Sequence, residues 1–254
     1  MDDVMSFYNQ FYHPNNAILV VSGDVEPDEV RTLAEKYYGV IPAYADLPPR
    51  ARTSEPPQIA ERRITYRDPR VAQPNVSRSY HAPERDPGAQ EDAAALTLLA
   101  EILGGGTTSY MTEKMLFDEH IAVYAGAFYA ATALDDTTFD IVVVPGPNTT
   151  LAEAEARMDA ALQQFFVDGV DEEQLDRIKM QLRASQIYAR DDVDRIASRY
   201  GRALTSGLTV ADVQAWPDIL QAVTAEDIMA AARNVFQAET SVTGYLTSDV
   251  EVTQ

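Results

Sequence analysis

Hydrophobic residues near the start of the chain follow first a helical and then an extended pattern. Residues 2–12 have the spacing of an amphipathic helix, and residues 17–21 form an apolar run, AILVV, of the length of a buried strand. The sequence HPNN separates the two, and a Gly-Asp turn follows the run. A second helix begins near Pro27 and ends before Gly39. Because a buried strand needs hydrogen-bonded neighbours, we expect a part of the same domain to precede this segment.

The rest of the chain predicts a domain in which strands and helices are mixed. The predicted strands are residues 62–67, 75–81, 123–131, 138–144 and 241–246. The predicted helices are residues 89–103, 110–119, 151–166, 171–189, 192–206, 211–215 and 225–236. This order of elements is typical of an α+β fold.

The end of the chain repeats the pattern of its beginning. Residues 227–250 contain DIM in a helix, then a strand and an Asp-Val pair, and residues 3–25 contain DVM, a helix, a strand and an Asp-Val pair. A repeat of this length predicts two homologous domains. We therefore expect residues 1–42 to be the tail of a first domain, residues 43–57 to be a proline-rich linker, and residues 58–254 to be a complete second domain. A chance match is the alternative, because a helix followed by a strand is common.

Composition narrows the classes of function. The 254 residues include 40 acidic and 20 basic side chains, which give a formal net charge of −20. Such a charge repels nucleic acid and anionic membranes, so we expect neither as a partner. There is no cysteine, which excludes disulfides, thiolate metal sites and a cysteine nucleophile. No apolar run has the length of a membrane span, and we expect any signal peptide to lie upstream.

Three stretches of the sequence resemble a known family. They are PNNAILVVSGDV at residues 14–25, ILGGGTTS at residues 102–109, and YARDDVDRIASRYGRALTSG at residues 188–207. Together they resemble the pitrilysin or insulinase-type zinc peptidases, the inverzincins, and are most similar to short bacterial members related to mitochondrial processing peptidase. The resemblance implies paired homologous α+β domains, each a two-layer structure in which helices cover an antiparallel or mixed sheet. It places this chain in the C-terminal, inactive-type portion.

The resemblance implies that the catalytic zinc lies outside this chain. The family binds zinc through an HxxEH helix, in which the Glu activates the attacking water. The only histidines here are His13, His81 and His120, and none belongs to such a motif. In the sequence Asp-Glu-His that ends at His120 the three side chains point in different directions on a helix. We therefore predict no metal ligand and no catalytic residue in this chain, and expect zinc in a missing N-terminal half or a partner subunit.

The candidate substrate-binding residues are Gly104, Gly105, Gly106 and Tyr124. The glycines are similar to the glycine-rich loop of processing-peptidase subunits, although glycine is equally common at the end of a helix. Tyr124 matches the Tyr of a substrate-binding Arg and Tyr pair in the family, whereas Phe117 stands at the position of the Arg. A tyrosine in a strand is more often a packing residue.

One hydroxyl near the glycines, that of Ser109, is not expected to be a nucleophile. No His or Asp in the sequence is arranged to activate it, and a serine after a glycine turn is typically a helix N-cap.

The function predicted by the resemblance is that of a non-catalytic half. It would help to enclose peptide substrates and would pair with a zinc-bearing half or a homologous subunit, as a homodimer or heterodimer. The alternative is a non-peptidase structural or interaction subunit of the same fold. We expect a bacterial cytoplasmic or periplasmic protein.

Overall fold

A five-stranded mixed sheet, with helices packed on one face, forms most of the chain after residue 58. The structure is a computed structural model that describes residues 1–48, 56 and 58–248. The strands are β1 (Arg62–Arg67), β2 (Asn75–Ala82), β3 (Ala122–Tyr129), β4 (Thr137–Pro145) and β5 (Ser241–Thr247). The helices are α1 (Asp2–Phe11), α2 (Pro27–Tyr37), α3 (Glu91–Gly104), α4 (Tyr110–Thr112, continued by a π-helical turn at Glu113–Asp118), α5 (Leu151–Asp168), α6 (Glu172–Tyr188), α7 (Val193–Thr205), α8 (Val210–Ala222) and α9 (Ala225–Val235). Within the described ranges, none of these helices is long and apolar enough to cross a membrane.

The sheet has the strand order β1-β5-β2-β4-β3. Strand β1 pairs with β5 in parallel, and the other neighbouring strands are antiparallel. Along β2, alternate residues from Val76 to Ala82 are buried, because this face is covered by helices. On β4 the buried residues Phe139 and Ile141 lie on the same face. The predicted α+β fold, a mixed sheet covered by helices, is therefore confirmed.

Helix α3 lies at the centre of the core. Nine of its side chains are buried, among them Leu96, Leu99 and Leu103. It packs against β3 as well as against helices α6, α8 and α9, so apolar residues are needed around almost its whole circumference. This explains why its sequence is rich in Ala and Leu without a polar stripe.

The prediction of a strand at residues 17–21 is wrong for this chain in isolation. These residues have no regular structure, and the side chain of Leu19 is 57% exposed. The five-stranded sheet lies wholly within residues 62–247, and no neighbouring strand reaches this segment in the described part of the chain. An apolar run can form a strand only where another strand accepts its backbone hydrogen bonds. Helices α1 and α2, on either side of it, match the prediction.

The helix predicted at residues 211–215 is present but was predicted too short, because α8 begins at Val210 and continues to Ala222. Pro217 lies inside the helix and supplies no backbone N–H. The buried side chains of Val213 and Leu220 lie on either side of the proline and anchor the helix in the core. Tertiary packing therefore outweighs the local cost of proline.

Parts of the predicted linker and repeat lie outside the described residues. These parts are residues 49–55 and 57 of the linker and residues 249–250 of the repeat. The helix and strand of the C-terminal copy are present as α9 and β5.

A buried ion cluster joins α5 to the sheet. Arg78 on β2 and Glu155 on α5 are 8% and 6% exposed, and the Arg78 Nη2 donates to the Glu155 Oε1 over 2.5 Å. The Arg63 Nη1 on edge strand β1 donates to the Glu155 Oε2 over 2.8 Å, and the hydroxyl of Tyr245 on β5 also donates to that oxygen. Asp159 accepts a further bond from Arg78. One carboxylate thus connects three strands to one helix.

We predict that Glu155→Gln lowers the free energy of unfolding by about 3–5 kcal/mol, because it leaves the buried Arg78 without its charge partner. Urea unfolding followed by circular dichroism measures this change. Glu239→Gln, at an exposed position, is the matched control and should change the free energy by no more than about 0.5 kcal/mol. Equal stability of the two variants would contradict the role of the cluster.

The difference in stability between the wild type and Glu155→Gln should depend on pH. Burial raises the pKa of Glu155, but hydrogen bonds from Arg63 and Tyr245 outweigh this, so that its pKa lies below the ordinary value. A depressed pKa stabilises the fold above the unfolded pKa of about 4.3, and this stabilisation is lost as the pH falls through the folded pKa. The difference in unfolding free energy between the wild type and Glu155→Gln should therefore narrow below about pH 4. A constant difference would contradict the assignment.

Candidate functional site

The first candidate glycine, Gly104, is the last residue of α3 and lies against β3. A Cβ atom at this position would overlap the backbone nitrogen of Ala127 and the carbonyl carbon of Gly126. Only glycine allows the helix and the strand to approach so closely. Helix–strand packing therefore accounts for Gly104.

The next two glycines end the helix and turn the chain. Gly105 is the C-cap of α3, and its N–H donates to the Glu101 carbonyl over 2.9 Å. Burial raises the pKa of the neighbouring Glu101 side chain. Gly106 has a φ of +132°, and no atom lies within 4 Å of a Cβ built there. The surface beside Gly106 is therefore open to a ligand, whereas Gly104 is enclosed; contact of the glycines with substrate stays a prediction.

Ser109 occupies the N-cap position of α4, as predicted, but its hydroxyl forms no capping hydrogen bond with the helix backbone. The Oγ atom donates to the Gly106 carbonyl over 2.7 Å and lies 3.0 Å from the Thr112 Oγ1. The residue is only 2% exposed. A hydroxyl held in this way stabilises the glycine turn and has no neighbouring base to activate it.

The face of the sheet opposite the helices carries the other candidate residue. We call this surface the open sheet face. Strand alternation and register assign to it Arg62, Ile64 and Tyr66 on β1, Asn75, Ser77, Ser79 and His81 on β2, Tyr124, Gly126 and Phe128 on β3, Thr138, Asp140, Val142 and Val144 on β4, and Val242, Gly244 and Leu246 on β5. Tyr124 lies on edge strand β3, is 43% exposed, and places its hydroxyl over Gly126. Phe117 lies in the π-helical turn and is 57% exposed. The two aromatic rings thus lie on separate elements, and neither brings a charged donor to the open sheet face.

Exposed apolar groups and a polar centre share the open sheet face. Ile64 and Tyr66 on β1 are 60% and 59% exposed, and Phe128 on β3 is 49% exposed. Between these edges, Ser79 donates a hydrogen bond to Asp140 on the neighbouring strand. The open sheet face therefore offers both apolar contacts and hydroxyl groups that can form hydrogen bonds.

The three histidines lie in three different places. The His13 ring stacks on Tyr44 with the ring centroids 4.2 Å apart, and the His81 Nε2 lies 3.2 Å from an oxygen of Asp136. The His120 Nδ1 lies 2.9 Å from the Leu116 carbonyl. Across residues 1–48, 56 and 58–248, no three His, Cys, Asp or Glu side chains are grouped so that they could hold a metal ion. The described residues therefore do not fit a zinc site.

The acidic residues before His120 also point apart. Asp118 lies 3.6 Å from the Lys114 Nζ, and Glu119 lies 3.7 Å from the Arg157 Nε. Each carboxylate faces a different cation, as expected for side chains at successive helical positions.

Sequence reasoning did not single out four arginines that line one cleft. They are Arg85, which follows β2, and Arg195, Arg199 and Arg202 on α7. The helical spacing i, i+4, i+7 of the last three is the signal that could have identified them. Their proximity to Arg85 could not be read from the sequence, because more than a hundred residues separate the two segments.

Comparison with known proteins finds one matching family. The sequence model described as "Peptidase M16 inactive domain" matches residues 1–182, which is more than half of the 254-residue chain. A zinc protease of Helicobacter pylori, PqqE, is 22% identical over 250 residues, which cover 97% of this chain and 54% of the relative. The chain therefore spans about half the length of this relative.

Solved structures show the same fold. A protease from Helicobacter pylori superposes with a TM-score of 0.89 at 21% identity, over 97% of this chain and 58% of that protein. A peptidase M16 inactive domain from Pseudomonas fluorescens gives a TM-score of 0.79 at 17% identity, over 98% of this chain and 57% of that protein. The first half of the periplasmic protease PqqL from Escherichia coli gives 0.79 at 17% identity, over 97% of this chain and 54% of that chain.

We predict that Gly104→Ala lowers the free energy of unfolding by about 1–3 kcal/mol, because the added methyl group forces α3 away from β3. Gly201→Ala is the matched control, since Gly201 lies in helix α7 with no atom within 4 Å of a Cβ built there. That variant should be unchanged or more stable by up to about 1 kcal/mol. Urea unfolding measures both, and wild-type stability of Gly104→Ala would contradict the close packing.

Proposed function

Because the chain belongs to the peptidase M16 inactive-domain family, we propose that it is a non-catalytic half that pairs with a zinc-bearing half and helps to enclose peptide substrates. The zinc-bearing half means a homologous domain or subunit that carries the HxxEH motif. Zinc would act there as the Lewis acid for peptide hydrolysis. The role of this chain is to bind that half and to hold the peptide.

The observation that carries the pairing is the exposure of apolar residues in residues 1–42. Helices α1 and α2 contain no buried residue, and Val4, Phe7 and Tyr12 are 67%, 57% and 66% exposed. Single exposed apolar residues are common, but so many in one short segment mark a surface that another protein part covers. We propose that residues 1–42 belong to the fold of the zinc-bearing half.

The internal repeat supports the same assignment. Helix α9 followed by β5 corresponds to α1 followed by residues 17–21. In the described domain β5 lies inside the sheet, between β1 and β2. By this correspondence, residues 17–21 would be an inner strand of a homologous sheet, residues 43–57 the linker, and residues 58–254 the second domain.

The open sheet face is the surface that we propose for the peptide. Its apolar edges, at Tyr66 on β1 and Phe128 on β3, can contact apolar side chains, and Ser77 and Ser79 between them can exchange hydrogen bonds with a peptide backbone. The predicted contact residues of this domain remain Tyr124 and the three glycines, Gly104, Gly105 and Gly106. None of these side chains needs to act on the scissile bond.

We predict that Phe7→Asp weakens binding of this chain to a zinc-loaded, HxxEH-bearing half from the same organism by at least about tenfold. A charge replaces an apolar side chain that the proposal buries. Asn9→Asp is the control, because it adds the same charge at an exposed polar position on the same helix. Sedimentation of the mixed halves measures binding, and cleavage of a quenched fluorescent peptide measures activity.

Binding that restores peptide cleavage, and that Phe7→Asp weakens while Asn9→Asp does not, supports the proposal. Binding without any change in cleavage would instead favour the structural subunit. Equal binding by both variants, or no binding by the wild type, would overturn the proposed pairing.

A further inference from the structure

An arginine-lined cleft lies where β2 and β3 end, beside helix α7. Its volume is about 610 Å³, and we call it the arginine cleft. Its lining residues include Arg85, Thr132, Arg195, Ser198, Arg199 and Arg202. One carboxylate, Asp194, also lines it. Four guanidinium groups and two hydroxyl groups are therefore concentrated in one part of a chain whose net charge is −20.

The arginines of α7 have few partners of their own. Arg195 pairs with Asp192 across the N-terminal turn of the helix, with 3.3 Å between Nε and Oδ2. Among the described residues, Arg199 and Arg202 form no ion pair, and the Arg199 guanidinium lies 5.6 Å from the ring centroid of Tyr200. Within the described ranges, both guanidinium groups are therefore free of an internal carboxylate partner on the cleft side of α7.

Arg85 lies at the base of the cleft and is only 8% exposed. It donates from Nε and Nη2 to the Gln90 Oε1 over 2.9 and 2.5 Å, and its Nη1 has one long contact, 3.4 Å to the Thr132 Oγ1. It takes part in no ion pair within the described part of the chain. Burial lowers the pKa of Arg85 to about 10, which the charge of Asp212 only partly offsets. A buried cation without a paired anion would gain from an anionic ligand.

The spacing of the α7 arginines restricts the ligand. Arg195 and Arg199 are four residues apart, which corresponds to about 6 Å along the helix axis, and Arg202 follows after about another 4.5 Å. In an extended peptide, side chains at alternate positions lie about 6.8 Å apart on one face. Guanidinium groups bind carboxylates through two parallel hydrogen bonds. Arginine side chains are long and flexible, so the row can reach carboxylates at alternate positions of an extended peptide although the axial intervals of about 6 and about 4.5 Å are shorter than about 6.8 Å.

We propose that the arginine cleft binds carboxylates of an acidic peptide segment and so gives this half a preference for acidic peptides. The peptide as the source of the carboxylates rests on the proposed function, whereas the binding of an oxyanion does not. The net charge of the whole chain repels such a peptide at low salt. At about 0.15 M salt the Debye length is about 8 Å, and the local arginines dominate.

The single tryptophan of the chain lies beside this cleft and contacts Arg85, one of its lining residues. Trp216 on α8 lies 3.9 Å, from ring centroid to guanidinium carbon, from Arg85. We expect a blocked peptide with glutamate at alternate positions, Ac-GEGEGEG-NH2, to change the Trp216 fluorescence of the whole chain saturably at about 0.15 M salt. Its glutamine counterpart, Ac-GQGQGQG-NH2, should give no change. The zinc-bearing half is absent from this titration, so its result does not depend on the pairing.

Arg199→Gln with Arg202→Gln should weaken binding of the glutamate peptide by at least about tenfold, because two charge-assisted contacts are lost. The control is Arg157→Gln with Arg183→Gln, which removes the same charge from α5 and α6 outside the cleft and should bind normally. Both double variants change exposed helical positions, so circular dichroism should show an unchanged fold.

A second titration distinguishes the source of the anion. Inorganic tripolyphosphate offers the same oxyanion chemistry without a peptide. A response to tripolyphosphate but not to the glutamate peptide would overturn the peptide assignment. No response to either ligand by fluorescence and by calorimetry, or equal weakening in both double variants, would overturn the cleft as a binding site.

Discussion

Backbone hydrogen bonding between neighbouring strands is the constraint on which the structure of this chain depends. Strand β5 meets it on both sides, by pairing with β1 and β2. Residues 17–21 have the apolar sequence of such a strand, yet within residues 1–48, 56 and 58–248 the amides of residues 18–21 donate no backbone hydrogen bond. Within its described part, this chain completes one sheet and leaves an apolar run outside it without strand partners, so that run presents free hydrogen-bonding groups that a further strand can pair with.

Two buried arginines show how this acidic protein treats positive charge inside its fold. Arg78 is neutralised by Glu155 and Asp159, and the resulting cluster fixes α5 to three strands. Arg85 instead bonds to neutral oxygens and lies over the ring of Trp216. The first arrangement satisfies the charge internally and supports the fold. The second leaves the guanidinium group without a carboxylate partner in the described part of the chain, and the proposed binding of acidic peptides draws on that charge.

The sequence predicted the regular part of the fold well and the site only in part. The strands and helices after residue 58 have clear periodicity, and the family resemblance was confirmed as that of an inactive M16 domain. Helix α8 extends through Pro217, beyond its predicted end at residue 215, because packing of Val213 and Leu220 outweighs the local cost of the proline. The approach of Gly104 to Ala127 and the meeting of Arg85 with α7 are long-range contacts. Residue spacing along the chain contains no information about such contacts.

Amide hydrogen exchange at residues 18–21 tests the central claim most directly. In the chain on its own these amides should exchange rapidly, because no strand protects them. On addition of the zinc-loaded, HxxEH-bearing half they should become protected to the level of β5, as inner strands of a sheet are. Exchange that stays rapid in a complex shown to have formed would contradict the claim that residues 1–42 complete the fold of the zinc-bearing half.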